Sequence, residues 1–121
     1  MTKDYVIELT PNNFNGKTLQ IYKNKIVLVK FYTPWCGYCK RAEPAYNELA
    51  KQYQNDSKVI IAKLDCEKYP KFVEEFNKFA NGPSIPGYPT ILLYINGVLY
   101  KEPYNDNREV EDYINFINKF Y

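Results

Sequence analysis

Histidine is absent from this chain of 121 residues, and cysteine occurs only three times, as Cys36, Cys39 and Cys66. Structural zinc sites take four protein ligands. A self-contained Cys/His zinc site is therefore excluded, unless a carboxylate or a second chain completes it. No run of about 18 or more apolar residues is present, so no membrane span is expected. Charge of one sign is not in excess either: the formal net charge is +2, too mild to argue for nucleic acid. Repeats, linkers and low-complexity segments are lacking. No secretory leader is read at Met1-Thr2-Lys3-Asp4, and Asn118-Lys119-Phe120-Tyr121 is no retention signal. What the chain has is packing material. Its 45% hydrophobic and 17% aromatic contents suit one globular domain over residues 1–121, with a core that needs no staples.

The most telling segment is Phe31-Tyr32-Thr33-Pro34-Trp35-Cys36-Gly37-Tyr38-Cys39-Lys40. It follows an apolar β-like run and precedes a helical pattern. Three-residue spacing on a helix brings the Cβ atoms of Cys36 and Cys39 to about 5–6 Å. A disulfide needs Cα atoms about 4.4–6.8 Å apart, so this pair opens and closes with little backbone movement. A helix start also favours a thiolate on Cys36 over a thiol. An exposed thiolate with a resolving cysteine beside it is what thiol–disulfide exchange requires. The ring such a bond closes is short, so it adds little stability and is free to cycle. Two inert buried thiols are the alternative.

Elsewhere the pattern is mixed α/β. Tyr5–Leu9 reads as a strand and Asn13–Tyr22 as a helix capped by Thr10–Asn13. Lys25–Tyr32 reads as a strand buried on both faces, with the continuous apolar run Ile26–Val29, and Lys58–Asp65 as a second buried strand with Val59, Ile60, Ile61 and Leu64. A long helix runs from Cys36 to about Asn55, with Pro44 inside it. Another runs from Pro70 to about Ala80, with Phe72, Phe76 and Phe79 assigned to the core. Asn81–Gly87 is loop. Thr90–Ile95 and Val98–Tyr104 form a hairpin across Asn96-Gly97, the strongest short turn signal. Asn107–Tyr121 closes the chain as a helix.

That order, βαβαβαββα with a redox pair after the second strand, is the order of the thioredoxin fold, an α/β fold with a central mixed sheet flanked by helices. Phe31-Tyr32-x-Pro34-Trp35-Cys36-Gly37-x-Cys39-Lys40, Gly87-Tyr88-Pro89-Thr90 and Tyr104-x-x-x-Arg108-Glu109 together resemble a catalytic domain of the protein disulfide isomerase family, over essentially the whole chain. The resemblance implies that Cys36 is the nucleophile and that Cys39 resolves the mixed disulfide. It implies a cis Pro89 opposite the sulfurs, with the main chain of Tyr88 offered to an extended substrate. Trp35, Gly37 and Tyr38 would line the substrate's path, Trp35 as an apolar wall unless it packs in the core. Arg108 matches an arginine that swings in to stabilise the resolving thiolate; a solvated helix-start arginine is the other reading. Protein thiols and disulfides are the implied substrates, with a separate redox partner, no bound cofactor and a monomeric state. The compartment stays open among the cytoplasm, a virus particle or similar assembly, and the endoplasmic reticulum that the resemblance suggests.

Four departures from the family stand out. Gly37-Tyr38 replaces the usual Gly-His, and loss of an imidazolium beside the thiolate makes a weaker oxidant. Lys30 replaces a buried acid that pairs with a lysine matching Lys63 and relays protons to the deeper cysteine. A neutral Lys30 serves as a base; pairing with Asp65 or Glu43, or reaching solvent, are the alternatives. The Asp65–Pro89 span is longer than the family norm, which places Asn81–Pro86 beside the cis-proline. Cys66 is read as a buried inert thiol, with a regulatory or intermolecular role as the alternative. A redox-inactive binding or structural module of a larger assembly competes with the enzyme reading. A metal- or cluster-bridged dimer is the third possibility.

Overall fold

Strand β4 (Ile26–Tyr32) is buried at all but the last of its seven residues, which only an interior strand allows. The computed structural model describes residues 4–121, so the leader reading at Met1–Lys3 lies outside the described residues. Strands β1 (Ile7–Glu8), β5 (Val59–Asp65), β6 (Thr90–Ile95) and β7 (Val98–Leu99) join β4 in one mixed sheet, in the order β1-β5-β4-β6-β7. β1, β5 and β4 are parallel; β6 and β7 are antiparallel to their neighbours. The helices are α1 (Gly37–Gln52), α2 (Pro70–Lys78) and α3 (Val110–Asn118).

The period of two along β4 sorts its side chains between two cores. Ile26 and Leu28 pack with Tyr46 and Leu49 of α1 and with Tyr113 and Ile117 of α3. Val27, Val29 and Phe31 pack on the other face with Phe76 of α2 and with Leu92 and Tyr94 of β6. Lys30 takes the parity of Ile26 and Leu28, so its side chain enters the α1 face. The Tyr46 hydroxyl donates across that face, lying 3.0 Å from the Leu28 carbonyl and 2.7 Å from that of Ala62.

Between β1 and β4 the structure corrects the expected helix at Asn13–Tyr22. Pro11–Asn13 form a single 3₁₀ turn, followed by a hairpin of β2 (Phe14–Asn15) and β3 (Thr18–Leu19). The cause is local: Gly16 adopts φ +59, as a two-residue turn with glycine at its first position requires. The hairpin then buries Phe14 and Leu19 on the α2 face. Phe79 is also corrected. It follows the end of α2 and is 45% exposed, and a Cβ on Gly16 would lie 3.3 Å from its ring. At the far end, Asn96 and Gly97 both have positive φ, and Leu19 N–H donates to the Gly97 carbonyl at 2.9 Å. A Cβ on Gly97 would lie 2.5 Å from the Leu19 carbonyl, so no other residue fits there.

The buried Lys17 ties this hairpin to the long loop before β6. Its ammonium donates to the carbonyls of Phe79, Asn81 and Pro83 at 2.9, 3.0 and 2.9 Å, and lies 3.4 Å from that of Gly82. Asn77 holds the same loop from α2, bonding both the N–H and the carbonyl of Ile85. Lys17→Met keeps the apolar stem and removes the donors. Bonds from a charged group contribute about 1.5–3 kcal/mol. The expected result is a Tm lower by roughly 5–10 °C, read by thermal unfolding; an unchanged Tm would show that the loop holds without the ammonium.

Candidate active site

Cys36 is the N-cap of α1. Its sulfur accepts the Cys39 N–H at 3.2 Å, so the backbone at the helix start points a donor at the atom that carries the negative charge as a thiolate. On its other side the Cys36 thiol lies 3.5 Å from the carbonyl of Tyr88. The Tyr88–Pro89 peptide is cis. Cys36, Cys39 and Cys66 are all unbonded thiols.

Both cysteines are buried, Cys36 6% and Cys39 3% exposed, which corrects the exposed thiolate expected at Cys36; Cys39 sits one turn into α1. Burial first, then its hydrogen bond with Cys36, pushes its pKa up to about 11; the Thr33 amide and Lys30 pull the other way. The two sulfurs therefore differ in kind. Cys36 lies at the mouth among exposed aromatics, whereas Cys39 lies behind it as a protonated thiol.

Those aromatics surround the mouth. Trp35 is 65% exposed and Tyr38 61%. Trp35 meets the Tyr88 ring edge-on at 6.3 Å. Tyr38 lies between two guanidinium groups, with Arg41 4.6 Å and Arg108 6.0 Å from its ring centre. Arg41 also lies over Gly37, where a Cβ would be 3.5 Å from Nη1. Arg41 was not singled out from the sequence, although its three-residue helical offset from Tyr38 was the available signal.

Lys30 is 3% exposed and lines a cavity of about 250 Å³ behind the cysteines, together with Thr33, Cys39, Glu43 and Lys63. Its Nζ lies 4.8 Å from the centre of the Tyr46 ring and 5.7 Å from that of Tyr32. Among the described residues it makes no ion pair within 4 Å. Burial and the neighbouring Lys63 lower its pKa, against opposing pulls from Glu43, Cys39 and Asp4. The pairing offered for Asp65 is corrected: that carboxylate accepts from the amides of Glu67 and Lys68 in its own turn. Lys63 is the register partner of Lys30, but its ammonium is 3.1 Å from Asp4 and 4.0 Å from Glu8. Thr33 Oγ1 is buried and unpartnered among the described residues. A polar cavity of this size has room for water that would bond it.

Cys66 lies on the opposite face of the sheet from Lys30, packed in the α2-side core. Burial raises its thiol pKa to about 12, with a hydrogen bond to the Tyr88 side chain opposing. The Cys66 thiol donates to the Leu64 carbonyl at 3.7 Å, while the Tyr88 carbonyl faces Cys36. Among the described residues, no three His, Cys, Asp or Glu side chains cluster as metal ligands, and no helix is long and apolar enough to cross a membrane.

The thioredoxin family model matches residues 5–119. Protein disulfide isomerase-like 2-2 of Oryza sativa subsp. japonica is 39% identical over 114 residues, 94% of this chain and 28% of that protein. Protein disulfide-isomerase 1 of Dictyostelium discoideum is 36% identical over 114 residues, 94% of this chain and 30% of that protein. The chain therefore spans less than a third of each of these relatives. Among solved structures, the Trx4 domain of ERdj5 superposes with a TM-score of 0.74 at 30% identity, over 98% of this chain and 96% of that one. Human ERp44 form I superposes at 0.77 with 23% identity, over 98% of this chain and 30% of that one, a likeness of fold alone.

Proposed function

The chain belongs to the thioredoxin family, and we propose that it exchanges disulfides with protein substrates through Cys36 and Cys39. One observation carries this reading. The Cys36 sulfur is held at the start of α1 by the Cys39 amide, opposite the Tyr88 carbonyl and inside a rim of exposed aromatics.

In the reducing direction, the Cys36 thiolate attacks one sulfur of a substrate disulfide. A Cys36–substrate bond forms, and the other substrate sulfur leaves as a thiolate and takes up a proton. Cys39 then loses its proton and attacks the Cys36 sulfur. The Cys36–Cys39 bond forms, and the second substrate thiol departs. Two electrons and two protons pass to the substrate, and an external dithiol restores the pair. Run backwards, the same steps donate a disulfide.

The rim supports recognition of an unfolded or extended segment. Trp35, Tyr38 and Tyr88 give apolar contact area without sequence selectivity. The Tyr88 main chain is placed to bond the substrate backbone beside the reacting sulfur, a form of strand addition. Arg41 and Arg108 bring positive charge to the rim at Tyr38, where the family carries an imidazole. Lys30 takes the place of the acid behind Cys39 and accepts its proton through the shared cavity.

Reduction of insulin disulfides with dithiothreitol as electron donor tests the reading. Catalytic turnover above the dithiothreitol background is the expected result. Absence of turnover in folded protein with three titratable thiols would overturn it and leave a redox-inactive module.

A further inference from the structure

A groove of about 480 Å³ opens beside Pro89 and Thr90, one residue from the carbonyl that meets the Cys36 sulfur. One wall is the loop between α2 and β6, contributing Gly82, Pro83, Ser84 and Pro86. The opposite wall is the segment between β7 and α3, with Lys101 and Arg108.

Three features suit this groove to a ligand. The first is rigidity: the loop wall is held by three strong Lys17–carbonyl bonds from one side and by the paired Asn77–Ile85 bonds from the other. A wall fixed beforehand costs little ordering when something binds against it. The second is charge. Lys101 and Arg108 make no ion pair within 4 Å among the described residues. The one carboxylate in the lining, Asp106, already accepts from the Asn107 amide at 2.7 Å. The third is continuity. Arg108 lines the groove and also reaches the Tyr38 ring, so one side chain joins the groove to the rim around Cys36.

We propose that this groove is a subsite for the substrate polypeptide as it runs past Cys36, and that it selects an acidic side chain a few residues from the substrate's reacting cysteine. The proposal rests on the disulfide-exchange reading and specifies its substrate. An extended chain advances about 3.3 Å per residue, so a segment lying along Tyr88 and Pro89 enters the groove within a few residues. Its carboxylate then meets two cations that hold no carboxylate within 4 Å among the described residues. Lys101 and Arg108 supply the discrimination, separately from the sulfur chemistry, opposite the wall that the loop holds in place.

The test uses two peptides, each with one cysteine joined by a disulfide to a fluorescent thiol. They differ only in carrying Glu or Lys, scanned over the few positions flanking that cysteine. The prereduced protein reacts with each, and the second-order rate constants are compared. At low salt the best-placed Glu peptide is expected to react at least about threefold faster than its Lys counterpart, a gap that closes as salt screens the pair. In Lys101→Gln/Arg108→Gln the ratio is expected to fall to about one. Any general loss of reactivity in that variant cancels in the ratio.

Equal wild-type rates for the two peptides at every position would overturn the subsite. A preference that survives in the double variant would overturn it too, since the selection would then arise elsewhere. Insulin reduction separates this failure from failure of the parent reading. Protein that turns over insulin without peptide preference loses only the subsite, whereas protein inert towards insulin and both peptides loses both.

Discussion

Cys39→Ser accumulates a stable mixed disulfide with substrate through Cys36, while Cys36→Ser loses exchange altogether. Both results follow from the placement of the sulfurs. Cys36 faces the aromatic rim and receives the Cys39 amide, so it makes the first bond. Cys39 is buried with its pKa pushed up to about 11, so it reacts only with a sulfur already bound in front of it. Removing Cys36 is expected to lower insulin turnover by at least about a thousandfold, as loss of a covalent nucleophile does. Removing Cys39 blocks the second bond and leaves the first intact. Non-reducing electrophoresis and mass spectrometry read the trapped species. Iodoacetamide near neutral pH is expected to label Cys36 first in the reduced wild type. Labelling of Cys39 first would reverse the assignment of the two roles.

Lys30→Met is expected to stabilise the protein and slow the resolving step. The ammonium is buried, without an ion pair within 4 Å among the described residues, and a register neighbour of Lys63. Holding this lysine in the fold, as a buried ammonium or as an amine that has released its proton, costs stability, so the methionine variant is expected to unfold at a higher temperature. The pH dependence has a definite sign. Burial lowers the folded pKa of Lys30, so between that value and the ordinary lysine range the unfolded chain binds more protons here. Stability contributed by this site rises with pH across that window, and the methionine variant lacks the rise.

Resolution responds in the opposite sense. Burial holds Cys39 as a thiol near neutral pH, so it needs a base when it attacks. A positioned base contributes on the order of a hundredfold. The variant is expected to resolve a preformed mixed disulfide about a hundredfold more slowly at pH 7, with a rate that climbs with hydroxide. Wild type is expected to show a flatter profile. If the variant resolves as fast as wild type, proton transfer at Cys39 runs through solvent without Lys30.

The sheet and the redox pair were legible because their signals are local. β4 and β5 each open on a run of four apolar residues, Ile26–Val29 and Val59–Ala62, and Asn96-Gly97 names its own turn. The Cys-x-x-Cys spacing needs no distant residue to be read. The helix expected at Asn13–Tyr22 failed where a local turn signal, Asn15-Gly16, was outweighed by the cap signal at Thr10–Asn13. Phe79 failed for a related reason: α2 ends one residue before it, so the helical period that assigned it to the core no longer applies. Lys17 was unreadable. Its partners lie 62 to 66 residues away, and a lysine beside a turn glycine looks like any surface lysine. The surroundings of Lys30 were half legible. Strand parity fixed its face, but the rings beneath it and the engagement of Asp65 elsewhere came from tertiary packing.

The two bonds of the Tyr46 hydroxyl bear on how the molecule cycles. A phenol fixed to carbonyls of β4 and β5 pins the middle of α1 to the sheet, so the helix neither slides nor rolls across it. The same ring lies edge-on to Tyr113 of α3 and beneath the Lys30 ammonium. Making or breaking the Cys36–Cys39 bond is therefore expected to leave α1 anchored and to confine movement to its first turn and the two sulfur torsions, so that the two redox states would present nearly the same shape away from the rim.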